Sequence, residues 1–178
     1  AKVLAEALQS GLANQPIDAA GTTRPAPQIS VITSDNVDAV RAACEDADIV
    51  CTTTGAAEPL FEDAWLKAGA HVNAVGSFRR ETTELPPALV ARASPLVLDT
   101  ADAWEAGDLA GPLDHGMVSK DMAITLGDLC QGVQPPSSSG ASISLFKSVG
   151  TAVQDIVSAS QVYRDCLNLE NVGTRVNI

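Results

Sequence analysis

Residues 48–76 read DIVCTTTGAAEPLFEDAWLKAGAHVNAVG, and this stretch decides the fold. Residues 48–54 and 70–75 are runs of apolar, small and β-branched residues, and each run ends at a glycine, Gly55 or Gly76. Such runs are typical of central strands in a parallel sheet, because both faces of those strands are covered. Residues 58–66 between them predict one or two short helical turns. The stretch therefore predicts a strand–helix–strand unit with parallel strands.

The alternation of helix and strand continues on both sides of this unit. Further strands are predicted at 28–34, 95–100 and 142–146, and helices at 1–8, 36–46, 86–93, 101–107, 124–132 and 148–169. Asp35 is expected to cap the helix at 36–46. Residues 14–27 and 108–123 are expected to be irregular connections. The pattern predicts an α/β fold with a parallel sheet, in which ligands bind beyond the carboxyl ends of the strands.

Composition excludes several classes of function. The 178 residues suit one domain, and 11 Lys and Arg against 22 Asp and Glu give a net charge of -11. This acidity argues against nucleic acid and against anionic membrane surfaces, and no apolar run approaches the ~20 residues of a membrane span. Four isolated cysteines, without metal-ligand spacing, are interpreted as reduced core thiols in a cytoplasmic protein without a metal: Cys44, Cys51, Cys130 and Cys166.

Three predicted strand ends carry side chains that could bind a ligand. Thr52 and Thr54 could line a dinucleotide groove, although a simple turn explains them equally well. Arg79 follows the glycine of the NAVG segment and could hold a carboxylate, or it could be a solvated surface arginine. Asp99, at the end of the strand at 95–100, could serve a ligand or cap a helix. The glycine fingerprint G-x-G-x-x-G of dinucleotide sites is absent from the sequence.

Several motifs, in order and spacing, resemble the ornithine cyclodeaminase/mu-crystallin family. They cover roughly residues 36–167, and KxGAHxNAVG and FKSxGxAxxD are the most specific of them. The matching segments are ADIVCTTT at 47–54, EPLF at 58–61, WLKAGAHVNAVG at 65–76, EL at 84–85, EAGD at 105–108, LGDL at 126–129 and FKSVGTAVQD at 146–155.

The resemblance implies a homodimer of two-domain subunits with an NAD- or NADP-binding domain of Rossmann type. Residues 1–140 are then expected to be a partial NAD(P)-binding domain that lacks its first strand and glycine loop. Residues 141–178 are expected to be a strand and helix that return to a mostly missing substrate and dimerisation domain. We expect the chain as given to be inactive by itself.

The resemblance also assigns site residues. Thr52 and Thr54 would line the cofactor groove, Val75 and Gly76 would lie against the nicotinamide, and Ser148 would lie close to the cofactor. Arg79 matches a position that contacts the ligand carboxylate in mu-crystallin-like members. The catalytic proton donor is not identified by the sequence, and neither is the choice between NAD and NADP.

Phe78 departs from the cyclodeaminase pattern. Cyclodeaminases of this family carry an acidic catalytic residue at this position, and an apolar ring cannot transfer a proton. The chain thus resembles the mu-crystallin-like members more closely, and that resemblance implies an NAD(P)H-dependent oxidoreductase that reduces the C=N bond of a cyclic ketimine or imino acid. The alternatives are an ornithine cyclodeaminase, which forms proline and ammonia, and a non-catalytic NAD(P)-dependent binder of small molecules.

Overall fold

The computed structural model describes residues 28–136 and 142–167. The chain divides into two units, residues 1–43 and residues 44–178, and the second unit holds the sheet. The predicted helix at 1–8 and loop at 14–27 lie outside the described residues. The predicted domain boundary between residues 140 and 141 stays a prediction.

Helices and strands alternate along the described chain. The strands are β1 (Ile49–Thr52), β2 (His71–Ala74), β3 (Leu96–Leu98), β4 (Ala123–Thr125) and β5 (Ser144–Lys147). The α-helices are α1 (Val37–Asp46), α2 (Pro87–Arg92), α3 (Gly107–Asp114), α4 (Leu126–Cys130) and α5 (Ala152–Leu167). Short 3-10 helices cover Asp63–Trp65, Ala101–Glu105 and Lys120–Met122. Among the described residues, none of the helices combines the length and apolar character that crossing a bilayer requires.

The five strands form one parallel sheet in the order β1-β2-β5-β3-β4. One register row crosses all five strands, so that their carboxyl ends lie along the same edge of the sheet. Its members are Thr52, Ala74, Lys147, Leu98 and Thr125. The α/β prediction with a parallel sheet is confirmed.

One face of the sheet packs against the main core. Along β2 and β5 burial alternates, and Val72, Ala74 and Leu145 are buried on this face. They belong to one hydrophobic cluster with Leu89 of α2 and Leu109 of α3, both fully buried. Each buried leucine contributes about 2 kcal/mol through the apolar surface it removes from water. This packing fixes the strands whose carboxyl ends form the candidate site.

The opposite face of the sheet carries a polar ladder. His71 Nδ1 lies 2.8 Å from Ser144 Oγ, and His71 Nε2 lies 3.2 Å from Asn73 Oδ1. Both imidazole nitrogens are therefore used in structural hydrogen bonds. Cys51 is exposed on this side of β1, and Cys130 is also exposed, so the prediction of core thiols is wrong for these two cysteines. Cys44 and Cys166 are half-buried, and all four are free.

The structure corrects several local predictions. Residues 28–33 have no regular structure, since β-branched residues form a strand only where another strand edge pairs with them. The helix α1 is capped by Asn36, whose Oδ1 accepts the amide of Ala39 at 3.2 Å, and not by Asp35. Residues 107–114 form α3 despite Gly111 and Pro112, because burial of Leu109 outweighs poor helix propensity.

The segment at 124–132 divides between a strand and a helix. Residues 123–125 pair with β3, and only then does the chain turn into α4. Thr125 and Asp128 form a capping box: the Asp128 amide donates to Thr125 Oγ1 at 3.1 Å, and the Thr125 amide donates to Asp128 Oδ2 at 3.0 Å. The helix therefore begins at Leu126, two residues later than the sequence predicts.

Candidate functional site at the carboxyl edge of the sheet

The candidate site lies at the carboxyl ends of β1, β2 and β5, which are neighbours in the sheet. Backbone hydrogen bonds continue past the strand ends. Thr52 O accepts the amides of Val75 at 2.9 Å and Gly76 at 3.2 Å, and Ala74 O accepts the amide of Ser148 at 2.9 Å. The sequence-predicted positions at these three strand ends are therefore gathered along one edge.

Glu84 joins the ends of β1 and β2. Its carboxylate accepts the backbone amides of Thr54 at 2.5 Å, Gly76 at 2.9 Å and Ser77 at 3.3 Å, and the residue is fully buried. Burial by itself would raise the pKa of this carboxyl. The hydrogen bonds from the Thr54 and Gly76 amides outweigh it, so the pKa is lowered.

A buried ion pair lies beside this contact. Lys147 Nζ of β5 lies 3.1 Å from Asp108 Oδ2 of α3, and both side chains are completely inaccessible to solvent. The ammonium also donates to Ser77 O at 2.5 Å and to Ala74 O at 3.3 Å. Asp108 Oδ1 accepts the Glu84 amide at 2.7 Å, so the two acidic residues are linked directly. The lysine thereby fixes β5 to the loop after β2.

Gly76 is required by the closeness of the two strand ends. A Cβ at this position would lie 2.1 Å from Thr54 O and 2.4 Å from Glu84 Oε1. Real Cβ atoms do not approach other atoms so closely. A Cβ at Gly55, in contrast, would meet no atom within 4 Å. The edge of the sheet is thus tight beneath Gly76 and open around Gly55.

The turn between β5 and α5 is organised by Asp99. Asp99 Oδ2 accepts the Ser148 hydroxyl at 2.8 Å and the amides of Val149 at 2.9 Å and Gly150 at 2.8 Å. Oδ1 accepts the amide of Thr100 at 2.7 Å. The Val149 and Gly150 amides at this turn are therefore occupied by a carboxylate of the chain itself.

The predicted site residues differ in their exposure. Thr54 and Val75 are exposed at the edge, whereas Thr52 and Ser148 are buried. The Thr52 hydroxyl makes no well-aligned hydrogen bond, which leaves a polar atom unsatisfied inside the edge. Arg79 is exposed, and its guanidinium lies 5.0 Å from the centre of the Phe78 ring, which is itself 55% exposed. The structure does not contradict a ligand contact at any of these positions, and their roles stay predictions.

Sequence reasoning missed the roles of Glu84 and Lys147. Alternation along β5 contained a usable signal for the lysine, since Ile143, Leu145 and Lys147 fall on the same buried face. A lysine on such a face needs a buried acidic partner. Within the described residues, no group of three His, Cys, Asp or Glu side chains is arranged to hold a metal ion.

Comparison with known proteins identifies the family of the chain. The model of the ornithine cyclodeaminase/mu-crystallin family matches residues 19–170. A Delta(1)-pyrroline-2-carboxylate reductase from Bacillus cereus is 39% identical over 137 residues, which are 75% of this chain and 42% of that relative. The chain therefore spans about two-fifths of the length of this relative.

Two solved structures share the fold. The Thermococcus litoralis Delta(1)-pyrroline-2-carboxylate reductase, in complex with NADH and L-proline, has a TM-score of 0.65 and 33% identity over 76% of this chain and 42% of that chain. The iminosuccinate reductase of Paracoccus denitrificans, in complex with NAD+, has a TM-score of 0.62 and 27% identity over 70% of this chain and 38% of that chain. The chain belongs to the ornithine cyclodeaminase/mu-crystallin family.

Proposed function

We propose that the protein containing this chain is an NAD(P)H-dependent oxidoreductase that reduces the C=N bond of a cyclic imino acid. The observation that carries the proposal is the 39% identity to a Delta(1)-pyrroline-2-carboxylate reductase over 75% of this chain. A structural relative that binds NADH together with L-proline supports both the cofactor and a cyclic product.

The residues at the edge fit a nicotinamide cofactor. Parallel α/β sheets bind ligands beyond their strand ends, and the ends of β1, β2 and β5 are adjacent. A Cβ at Gly55 would meet no atom within 4 Å, so the backbone that follows Thr52 at the end of β1 leaves room for a ligand. Thr54, Val75, Gly76 and Ser148 would hold the cofactor, which supplies a hydride to the imine carbon.

The substrate contact is proposed for Arg79. Its guanidinium is exposed beside the NAVG loop and can form a bidentate pair with a carboxylate. The centre of the Phe78 ring lies 5.0 Å from the guanidinium, within the range of a cation–π contact. A proton must also reach the imine nitrogen, and no residue of this edge is assigned to that step.

Phe78 also separates the main proposal from the ornithine cyclodeaminase alternative. That reaction needs an acidic residue at this position according to the family resemblance, and phenylalanine cannot replace it. A non-catalytic binder of NAD(P) and a small acid would use the same edge, and only turnover distinguishes it from a reductase.

Two further proposals concern the oligomeric state and the cellular location of the protein. We propose a homodimer, which is supported by apolar side chains of α5 that are more than half exposed: Val153, Ile156, Val157, Val162, Tyr163 and Leu167. The four free cysteines support a reducing, cytoplasmic location. Light scattering of the purified protein tests the first proposal, and cell fractionation tests the second.

The function is tested with the complete gene product that contains this chain. Oxidation of NADH or NADPH is followed with Delta(1)-pyrroline-2-carboxylate and with its six-membered-ring homologue. Turnover that depends on the imino acid supports the proposal. Conversion of ornithine to proline and ammonia would replace it with the cyclodeaminase alternative, and tight binding without turnover would replace it with the binder.

The chain of 178 residues is tested separately by thermal shift. We expect neither NADH nor NADPH to raise its melting temperature, because binding to the folded state raises Tm only where a binding site is formed. A clear increase with either cofactor would contradict the expectation that this chain is inactive by itself.

A further inference from the structure

Three charged side chains are buried directly beneath the candidate site. Glu84 and Lys147 are fully buried, and Asp108 is 1% exposed. The ammonium of Lys147 pairs with Asp108 at 3.1 Å. Two carboxylates and one ammonium leave one net negative charge in the cluster, and the geometry assigns it to Glu84.

The charge of Glu84 is held at the strand ends. Among the described residues, its carboxylate is bound by uncharged donors, the amides of Thr54, Gly76 and Ser77. These hydrogen bonds stabilise the ionised form and hold the carboxylate against the backbone at the ends of β1 and β2. The carboxylate oxygen Oε2 lies 2.9 Å from the Gly76 amide nitrogen.

We propose that Glu84 is a positioning residue whose buried charge favours the oxidised form of the nicotinamide cofactor. The inference rests on the proposed function, together with the position against Val75 and Gly76 that the family resemblance implies for the nicotinamide. The ring is cationic in NAD+ and neutral in NADH, so a nearby buried anion stabilises the oxidised form selectively. During reduction of an imine, Glu84 would stabilise the positive charge that the ring gains as its hydride leaves.

A purely structural role makes a different prediction. If Glu84 only held the strand ends together, its loss would weaken NAD+ and NADH binding by the same factor. If its charge acts on the ring, its loss weakens NAD+ binding more. The ratio of the two dissociation constants therefore distinguishes an electrostatic effect of Glu84 from a structural one, without any measurement of turnover.

The experiment measures Kd for NAD+ and NADH by calorimetry on the complete gene product, as wild type, Glu84→Gln and Glu84→Asp. We expect Glu84→Gln to weaken NAD+ relative to NADH by on the order of tenfold. Glu84→Asp keeps the charge and should keep most of the wild-type ratio, whatever it does to either affinity. An unchanged ratio in Glu84→Gln overturns the inference.

A second variant covers the possibility that Glu84→Gln does not fold. Asp108→Asn neutralises the neighbouring carboxylate, removes the same net charge from the cluster, and should shift the ratio in the same direction by a smaller factor. A ratio that does not shift in Asp108→Asn then overturns the inference. If the wild type binds neither NAD+ nor NADH, the proposed function fails, and the inference fails with it. If the wild type binds both forms and the charge-neutralising variants do not change the ratio of the two dissociation constants, only the inference fails and the proposed function stands.

Discussion

The carboxylate of Asp99 accepts a hydrogen bond from the Ser148 hydroxyl, with 2.8 Å between the two oxygens, and this contact joins the end of β3 to the turn after β5. A hydroxyl that donates to a carboxylate presents lone pairs to any further partner. Ser148 can therefore accept a hydrogen bond from a ligand amide, but it cannot donate one without releasing Asp99. The turn is thus held by hydrogen bonds within the chain itself.

Replacement of Asp99 should destabilise this turn. Asp99→Ala removes the acceptor of the Ser148 hydroxyl and of the Val149 and Gly150 amides, and we expect a loss of about 2 kcal/mol in the free energy of unfolding. Ser148→Ala removes one of these donors and should cost about 1 kcal/mol or less. Urea denaturation measures both, and equal losses would contradict the central role of Asp99.

Gly76 should tolerate no side chain. In Gly76→Ala the added methyl group would lie 2.1 Å from Thr54 O, so the strand ends must separate, and we expect a loss of about 3 kcal/mol or more. Gly55→Ala is the matched control, since its methyl group would meet nothing within 4 Å and should change stability by less than about 1 kcal/mol. A similar melting temperature for the two variants would show that the edge is looser than the structure indicates.

The sequence was sufficient to predict the strand ends but not the contacts beneath them. The runs at 48–54 and 70–75 specify buried parallel strands locally, and parallel strands place their carboxyl ends at the same edge. The segment at 28–34 looked equally strand-like, yet it has no regular structure in residues 28–33, because pairing depends on a partner that composition does not reveal.

The buried charges needed information from distant parts of the chain. Glu84 accepts an amide 30 residues away, and the Lys147 and Asp108 side chains come from β5 and α3. No periodicity in either segment indicates which acid meets the lysine. The helical state of residues 107–114 was missed for the same reason, since burial in the core overrides the local effect of Gly111 and Pro112.

Acid should unfold the protein partly through Glu84. Its pKa in the folded state lies below the ordinary value of 4.5, so ionisation of this group stabilises the fold above about pH 4.5. That contribution is lost as the pH falls from 4.5 through the lower folded-state pKa. The difference in unfolding free energy between wild type and Glu84→Gln should therefore be constant near neutral pH and shrink in this acidic range. A constant difference down to the acid transition would contradict this assignment.

Arg79 should determine affinity for the substrate carboxylate. In the complete gene product, Arg79→Met should raise KM for the imino acid by roughly tenfold or more, and Arg79→Lys should have an intermediate effect because it keeps the charge but not the bidentate geometry. Phe78→Leu removes the ring beside the guanidinium and should raise KM by only a fewfold. Steady-state kinetics would contradict the assignment if KM were unchanged in Arg79→Met.

The ion pair between Lys147 and Asp108 should show strong coupling in a double-mutant cycle. Lys147→Met leaves the Asp108 carboxylate buried without its cation, and we expect a loss of about 3–5 kcal/mol in unfolding free energy. Asp108→Asn keeps Oδ1 as an acceptor for the Glu84 and Leu85 amides, but it places an uncharged NH2 group against the ammonium of Lys147. The double variant removes both charges, so its loss should be smaller than the sum of the single losses by about 2 kcal/mol. Additive losses in urea denaturation would mean that the two side chains are not electrostatically coupled.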